Sequence, residues 1–235
     1  IADVVCFPGC HINHLTPRTL DIDRVQTLMP QNGITPKAII EGPPRRAVPI
    51  LLRQTSFKAL NEPVRFRDSH QGTHTARFGE IEQRGVALTH KGRELYDRLL
   101  AQAGSGSENQ QHQHHLSEIF AAFPDDEASL RQQQLAWFEY RRTAAGENLK
   151  ITPDSDIESL LAQGVLKADP IIYEDFLPVS AAGIFQSNLG SESKARSQGQ
   201  ASRQQFEQAL GTQVHDEIEL YAQRERSSKL RCGLL

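Results

Sequence analysis

The segment CHINHLTPRTLDID (residues 10–23) sets two histidines, His11 and His14, in an apolar run that closes on an acidic turn. A neutral imidazole is the commonest metal ligand among side chains. Read as a strand, positions 11 and 14 differ in parity, so only one of them faces a given site. A second run, RFGEIEQRG (77–85), places Glu80 and Glu82 on one face of another strand, with Phe78 and Arg84. Carboxylates among Phe and Ile are costly to bury unless paired or metal-bound. Two readings stay open for them: an ion pair with Arg84, Arg53 or Arg77, or a metal-ligating acid. Two imidazoles and one carboxylate make the facial triad of mononuclear iron(II), which leaves positions for substrate and dioxygen. The histidine pair alone is a weak metal signal and equally fits partly buried histidines with hydrogen-bond partners.

A third stretch, PVSAAGIF (178–185), is rich in small residues. Such residues let backbone amides approach an anion closely, although a plain turn gives the same pattern. Arg18, Arg53 and Arg84 can each grip a carboxylate bidentately, or pair with an acid of the chain. HQHH (112–115) reads as a solvated loop. Cys6 and Cys10 have no matching second pair, which argues against zinc. LAWFEYRR (135–142) reads as helical core packing, because its aromatics do not lie within a basic stripe.

These residues need a scaffold. Residues 10–16 read as a strand, and DIDRVQTLMPQNG as a helix with Asp21 at its start and Gly33 as its stop. KAIIEG, VPILLRQTSFKAL and THTARFGEIEQRG read as three further strands. The order is βαβββ. After Gly85 the period changes: KGRELYDRLLAQA puts Leu95, Leu99 and Leu100 on one helical face. GSGSENQQHQHH reads as a polar loop, and the segment around Pro124 as helical on both sides. ITPDSDIESLLAQG reads as a short helix, DPIIYEDFLPVSAAGIFQSN as extended, and the chain beyond Ser202 as helices about Gly211. The expected organisation is an α+β unit: a βαβββ module at 1–100, a helical insertion at 101–165, and a return strand, turn and C-terminal helices at 166–235.

The bulk composition excludes several classes. There are 26 Lys and Arg against 29 Asp and Glu in 235 residues, so no broad cationic face for nucleic acid is offered. No apolar run approaches the roughly 20 residues of a membrane helix. Mean hydropathy is −0.49. Three cysteines do not make a disulfide framework, which points to a reducing cytoplasm. The opening IADVVCFPGC already reads as the inside of a folded domain, so the expectation is a piece of a longer protein.

HLTPRTLDI resembles the iron-ligand segment of 4-hydroxyphenylpyruvate dioxygenases, and GEIEQRG resembles the ligand strand of that family, both on βαβββ modules of the vicinal oxygen chelate superfamily. INHLTPRTLDID, IEGPPRR, ILLRQTSFKAL, HTARFGEIEQRG, GRELYDRLL and FLPVSAAGIFQSNL together resemble the C-terminal half of bacterial 2-oxoadipate dioxygenase/decarboxylases. The resemblance implies iron(II) held by His14 and Glu80, with Glu82 as second choice. It implies a 2-oxo acid contacted by Val179 and Ser180, dioxygen as co-substrate, and Arg84 steadying a ligand. The implied reaction turns 2-oxoadipate into 2-hydroxyglutarate and carbon dioxide, in lysine catabolism. In the family a further iron histidine and a substrate-holding arginine lie in the other half. His11, His70 and His74 do not replace that histidine by spacing: six extended residues separate His74 from Glu80 by about 20 Å. Rival expectations are another vicinal oxygen chelate enzyme, or an inactive or purely binding piece.

Overall fold

Asp21 starts the first helix. Its backbone is extended and its side chain accepts the Arg24 N–H at 3.0 Å, which satisfies one of the orphan donors of helix α1 (Ile22–Gln31). Pro30 sits in the last turn, where it has no N–H to bond the carbonyl one turn back and so helps end the helix, and Gly33 follows at φ 74. Ile22, Gln26 and Met29 are buried, a spacing of four and three that defines one face. The computed structural model describes residues 18–65, 71–103, 109–174 and 207–235, with the backbone alone at 58–65 and 71–80. The expected strand at 10–16 lies outside the described residues.

The chain divides into two compact units, Ile1–Phe138 with Pro170–Tyr173, and Glu139–Asp169 with Glu174–Leu235. The expected insertion at 101–165 is thus divided between them. In the first unit, β2 (Leu52–Arg65) and β3 (Gln71–Arg84) form a long antiparallel hairpin, and β1 (Thr35–Pro36) pairs with β2. The sheet order is β1-β2-β3. The register runs from Leu52 opposite Arg84 to Arg65 opposite Gln71, with irregularities around Lys58. KAIIEG is not a continuous strand; Glu41 makes an isolated antiparallel bridge to Gln54, where Gly42 turns at φ 100. On the other edge of the sheet, Arg18 bridges Glu82 in parallel.

Beyond β3 the chain crosses itself tightly. Gly85 and Val86 donate to the carbonyls of Leu51 and Pro49, and Leu51 to that of Val86, which holds Leu51 at φ 52. A Cβ at Gly85 would stand 2.1 Å from the Pro49 carbonyl carbon, so the crossing requires glycine. Helix α2 (His90–Ala103) buries Gly92, Tyr96, Leu99 and Ala103. Leu100 is exposed, so the buried stripe is turned from the expected leucine face. The reason is Gly92, which lets the helix approach the Leu135 carbonyl, and Tyr96, whose ring meets Phe120 edge-on at 5.6 Å.

HQHH is helical rather than looped. Helix α3 (Asn109–Ile119) turns Asn109 and Gln113, one turn apart, onto the backbone of Ile40: Asn109 accepts its N–H and Gln113 donates to its carbonyl. Polar contacts to the Ile40 backbone thus dock this helix together with its buried Leu116, where the sequence reads as a solvated loop. Helix α4 (Glu127–Gln132) follows a cap at Asp126. Residues 138–142 form strand β4 (Phe138–Arg142), not helix, because Phe138 and Tyr140 are buried in strict alternation.

β4 pairs with β5 (Leu166–Pro170). The second unit adds helix α5 (Ile157–Ala162) and the C-terminal helix α6 (Glu217–Cys232), capped by Asp216 and ended by Gly233 at φ 80. Arg142 closes it by donating to the Cys232, Gly146 and Leu149 carbonyls. No helix among the described residues is long and apolar enough to cross a membrane.

Candidate functional site

Alternation along β2 sorts the sheet into two faces. Arg53 and Thr55 meet α1: Arg53 grips Asp23 at 2.7 and 2.8 Å, and Thr55 donates to Gln26 at 2.8 Å. Gln54 and Ser56 belong to the other face, and their partners across the hairpin are Glu82 and Glu80. The acidic positions of β3 therefore belong to the side of the sheet away from α1.

Glu82 is only 2% exposed. Arg84 Nε donates to its Oε1 at 2.6 Å, and Arg18 Nε stands 3.7 Å from the same oxygen. Arg84 is itself buried, at 6% side-chain exposure, whereas Arg18 is 55% exposed. Burial of a bare carboxylate would be prohibitive; a guanidinium at hydrogen-bond distance makes it tolerable. Arg84 also donates through Nη1 to the Tyr173 carbonyl at 3.3 Å. The Thr19 N–H donates to the Glu82 carbonyl at 2.8 Å, so Arg18 and Thr19 are laced to β3 beside this carboxylate.

The sequence-predicted residues fall as follows. Glu80 occupies the register position opposite Ser56, two residues before Glu82; only its backbone is described. Glu82 and Arg84 are brought together directly. His14, Val179 and Ser180 lie outside the described residues, as do His11 and His70. His74 pairs with Glu62, far along β3 from Glu80. Among the described residues no group of three His, Cys, Asp or Glu side chains is placed to hold a metal ion.

A cavity of about 120 Å³ lies on the α1 side, lined by Asp21, Asp23, Arg45, Arg46, Arg53 and Gln83 among others. It is distinct from the Glu82 face. Burial pushes the Asp23 carboxyl up, but the hydrogen bonds and charge of Arg53, with Arg45, outweigh that and hold it below the usual carboxylate range. Arg53 also donates to Gln113 at 3.0 Å, while its Nε is buried without a hydrogen-bond partner. This clamp joins α1, β2 and α3. Its members are 30 and 60 residues apart, and no local spacing announces it. The same holds for Arg46, whose buried guanidinium donates to the carbonyls of Phe120, Phe123 and Pro124.

Fold and site together define an α+β protein with an antiparallel sheet, helix-covered on one face and carrying an arginine-held carboxylate on the other. Its sequence places it more narrowly. Residues 1–188 match the family model for 2-oxoadipate dioxygenase/decarboxylase, and the chain belongs to that family. The 2-oxoadipate dioxygenase/decarboxylase of Shigella flexneri is 68% identical over 237 residues, covering 100% of this chain and 53% of that protein. The Pseudomonas putida relative is 55% identical over 244 residues, covering 99% and 53%. The crystal structure of the P. putida hydroxyglutarate synthase in complex with 2-oxoadipate aligns with a TM-score of 0.80 at 53% identity, over 98% of this chain and 52% of that one. A Shigella flexneri crystal structure that includes the domain DUF1338 aligns at 0.81 with 61% identity, over 99% and 50%. The chain spans about half the length of the curated relatives it matches.

Proposed function

We propose that this chain supplies part of the active site of a cytoplasmic iron(II)-dependent enzyme that converts 2-oxoadipate and dioxygen to 2-hydroxyglutarate and carbon dioxide in lysine catabolism. The observation that carries this reading is the likeness to the P. putida synthase in complex with 2-oxoadipate, at 53% identity along almost the whole chain. In this reading the sheet is a vicinal oxygen chelate module, and iron is held by His14 and Glu80. Imidazole and carboxylate suit iron(II) in type. The committed pair of Glu82 with Arg84 favours Glu80 over Glu82 as the ligand, since a carboxylate bound to a buried guanidinium would have to give it up to reach a metal. Arg84 then steadies β3 next to the ligand.

Bound iron would supply the dioxygen chemistry that no side chain of this chain possesses. The chain's own part is to orient: Val179 and Ser180 hold the 2-oxo acid, and the sheet keeps the carboxylates fixed. A third ligand and a carboxylate-binding arginine come from the other half of the full-length protein. The chain by itself then binds iron poorly, because two ligands hold it weakly. Iron content and oxygen uptake with 2-oxoadipate, measured on the 235-residue chain and on the full-length protein, test this. Uptake with 2-oxoadipate but not with catechols by the full-length protein supports the reading; uptake with catechols alone replaces it by an extradiol activity.

A further inference from the structure

β4 and the C-terminal helix meet over charge. The alternation that buries Phe138 and Tyr140 leaves Glu139 half-buried and Arg141 exposed. Glu139 accepts from Arg224 at 2.7 and 2.9 Å and from Arg231 at 3.0 Å. Those two arginines are seven residues apart, on one face of α6. Asp169, on β5, accepts from Arg141 Nε at 2.9 Å and pairs with Lys167 at 2.7 Å. These bonds, that of Lys167 foremost, hold its carboxyl below the usual carboxylate range. Arg142 adds another charge, and it donates to the backbone carbonyls of Cys232, Gly146 and Leu149 rather than to an acid. Five cations thus serve two carboxylates here, in a chain whose net charge is −3. A cavity of about 410 Å³ opens among them, with Glu139, Arg141, Arg142, Asp169 and Arg231 in its wall. These residues all belong to the second unit.

Two of the guanidiniums are under-used. Arg141 commits only Nε and Arg231 only Nη2, and among the described residues their other nitrogens have no partner. The two side chains are 59% and 62% exposed, so they can turn to a ligand without unpacking the fold. A guanidinium with free N–H groups is the side chain best shaped to grip a carboxylate or phosphate. We propose that this pocket binds a small divalent oxyanion, a phosphate or a dicarboxylate, through Arg141 and Arg231, with Arg142 as fixed charge in the wall. The volume falls within the about 300–1,000 Å³ of small-molecule sites. The excess charge is local while the chain as a whole is negative, which favours a compact anion over a long polyanion such as nucleic acid. Glu139 and Asp169 oppose the anion as like charges, so neutralising Asp169 strengthens binding. A purely structural network of surface ion pairs predicts no such gain.

The test titrates the full-length protein calorimetrically with inorganic phosphate and, separately, with succinate, at fixed ionic strength. The unmodified protein is compared with Arg141→Gln, Arg231→Gln and Asp169→Asn, and melting curves in the same buffers establish that each variant is folded. Each arginine substitution is expected to weaken binding about tenfold, the loss of a charge-assisted hydrogen bond. Asp169→Asn is expected to tighten it about threefold, as suits one exposed charge. Binding of phosphate alone marks a phosphate ligand, of succinate alone a dicarboxylate, and of both a site read by charge; each upholds the pocket. Binding of neither probe overturns it. So does equal affinity in the arginine variants, which puts the anion elsewhere on the protein. Unchanged or weaker binding in Asp169→Asn also overturns it, since the acid would then be holding the arginines in place rather than competing with an anion for them.

Discussion

Removing Asp23 should hurt the protein more than removing its partner Arg53. The Arg53 side chain is 4% exposed and that of Asp23 27%. In Asp23→Ala, both terminal nitrogens of Arg53 lose their carboxylate, Nε already has no partner, and only Gln113 remains. Stranding one member of a buried pair costs about 3–5 kcal/mol. Partial exposure of Asp23 admits water to the gap and lowers this to about 2–3 kcal/mol. Loss of a first-turn carboxylate from α1 adds about 0.3–1 kcal/mol. In Arg53→Met the stranded group is Asp23, which rehydrates, while the methionine stem refills the space. That substitution should cost about 1–1.5 kcal/mol. Urea unfolding at constant slope measures both variants and the double variant, and the cycle should return a coupling of about 1–3 kcal/mol. Arg53→Met proving as costly as Asp23→Ala, or a coupling near zero, refutes the reasoning.

Acid should expose the same clamp. Because Asp23 titrates below its ordinary value when folded, its contribution is complete above the unfolded carboxylate range and is lost as pH falls through the lowered value. Asp23→Asn should therefore narrow its stability deficit below about pH 4, seen as converging melting curves. Gly85→Ala should cost about 2–3 kcal/mol or prevent soluble expression, because its Cβ would stand 2.1 Å from Pro49 backbone. Gly33→Ala, with open space around it but φ 74, should cost only about 1–2 kcal/mol; equal costs at the two glycines would discredit the close-approach argument. Asp216→Ala should lower helix α6 stability by about 1 kcal/mol through loss of the bond from the Glu219 N–H, read as reduced amide protection in the first turn of the helix.

Some of this architecture is legible in the residues alone. Asp21 and Gly33 mark both ends of α1, and the alternation through Arg77–Arg84 marks the strand that carries Glu80 and Glu82. Local chemistry suffices there, because caps and pleats act within a few residues. It fails where docking is polar or distant. A segment of Gln and His reads as loop until Asn109 and Gln113 are seen to satisfy the Ile40 backbone. Phe138 and Tyr140 read as helical core until their alternate burial on β4 is seen. Of the site, the acidic strand and Arg84 are legible, but the choice of Glu82 as the arginine's partner is not: both acids share a parity, and only the packed sheet distinguishes them. The bond from Arg84 to the Tyr173 carbonyl spans 89 residues, which no spacing rule encodes.

The central claim is that Glu80, rather than the arginine-held Glu82, is the acid that binds iron for turnover of 2-oxoadipate. Iron per chain in full-length Glu80→Ala and Glu82→Gln proteins tests it most directly. The account predicts that Glu80→Ala loses its iron and its oxygen uptake while Glu82→Gln keeps most of its metal. Near-normal iron in Glu80→Ala would contradict it.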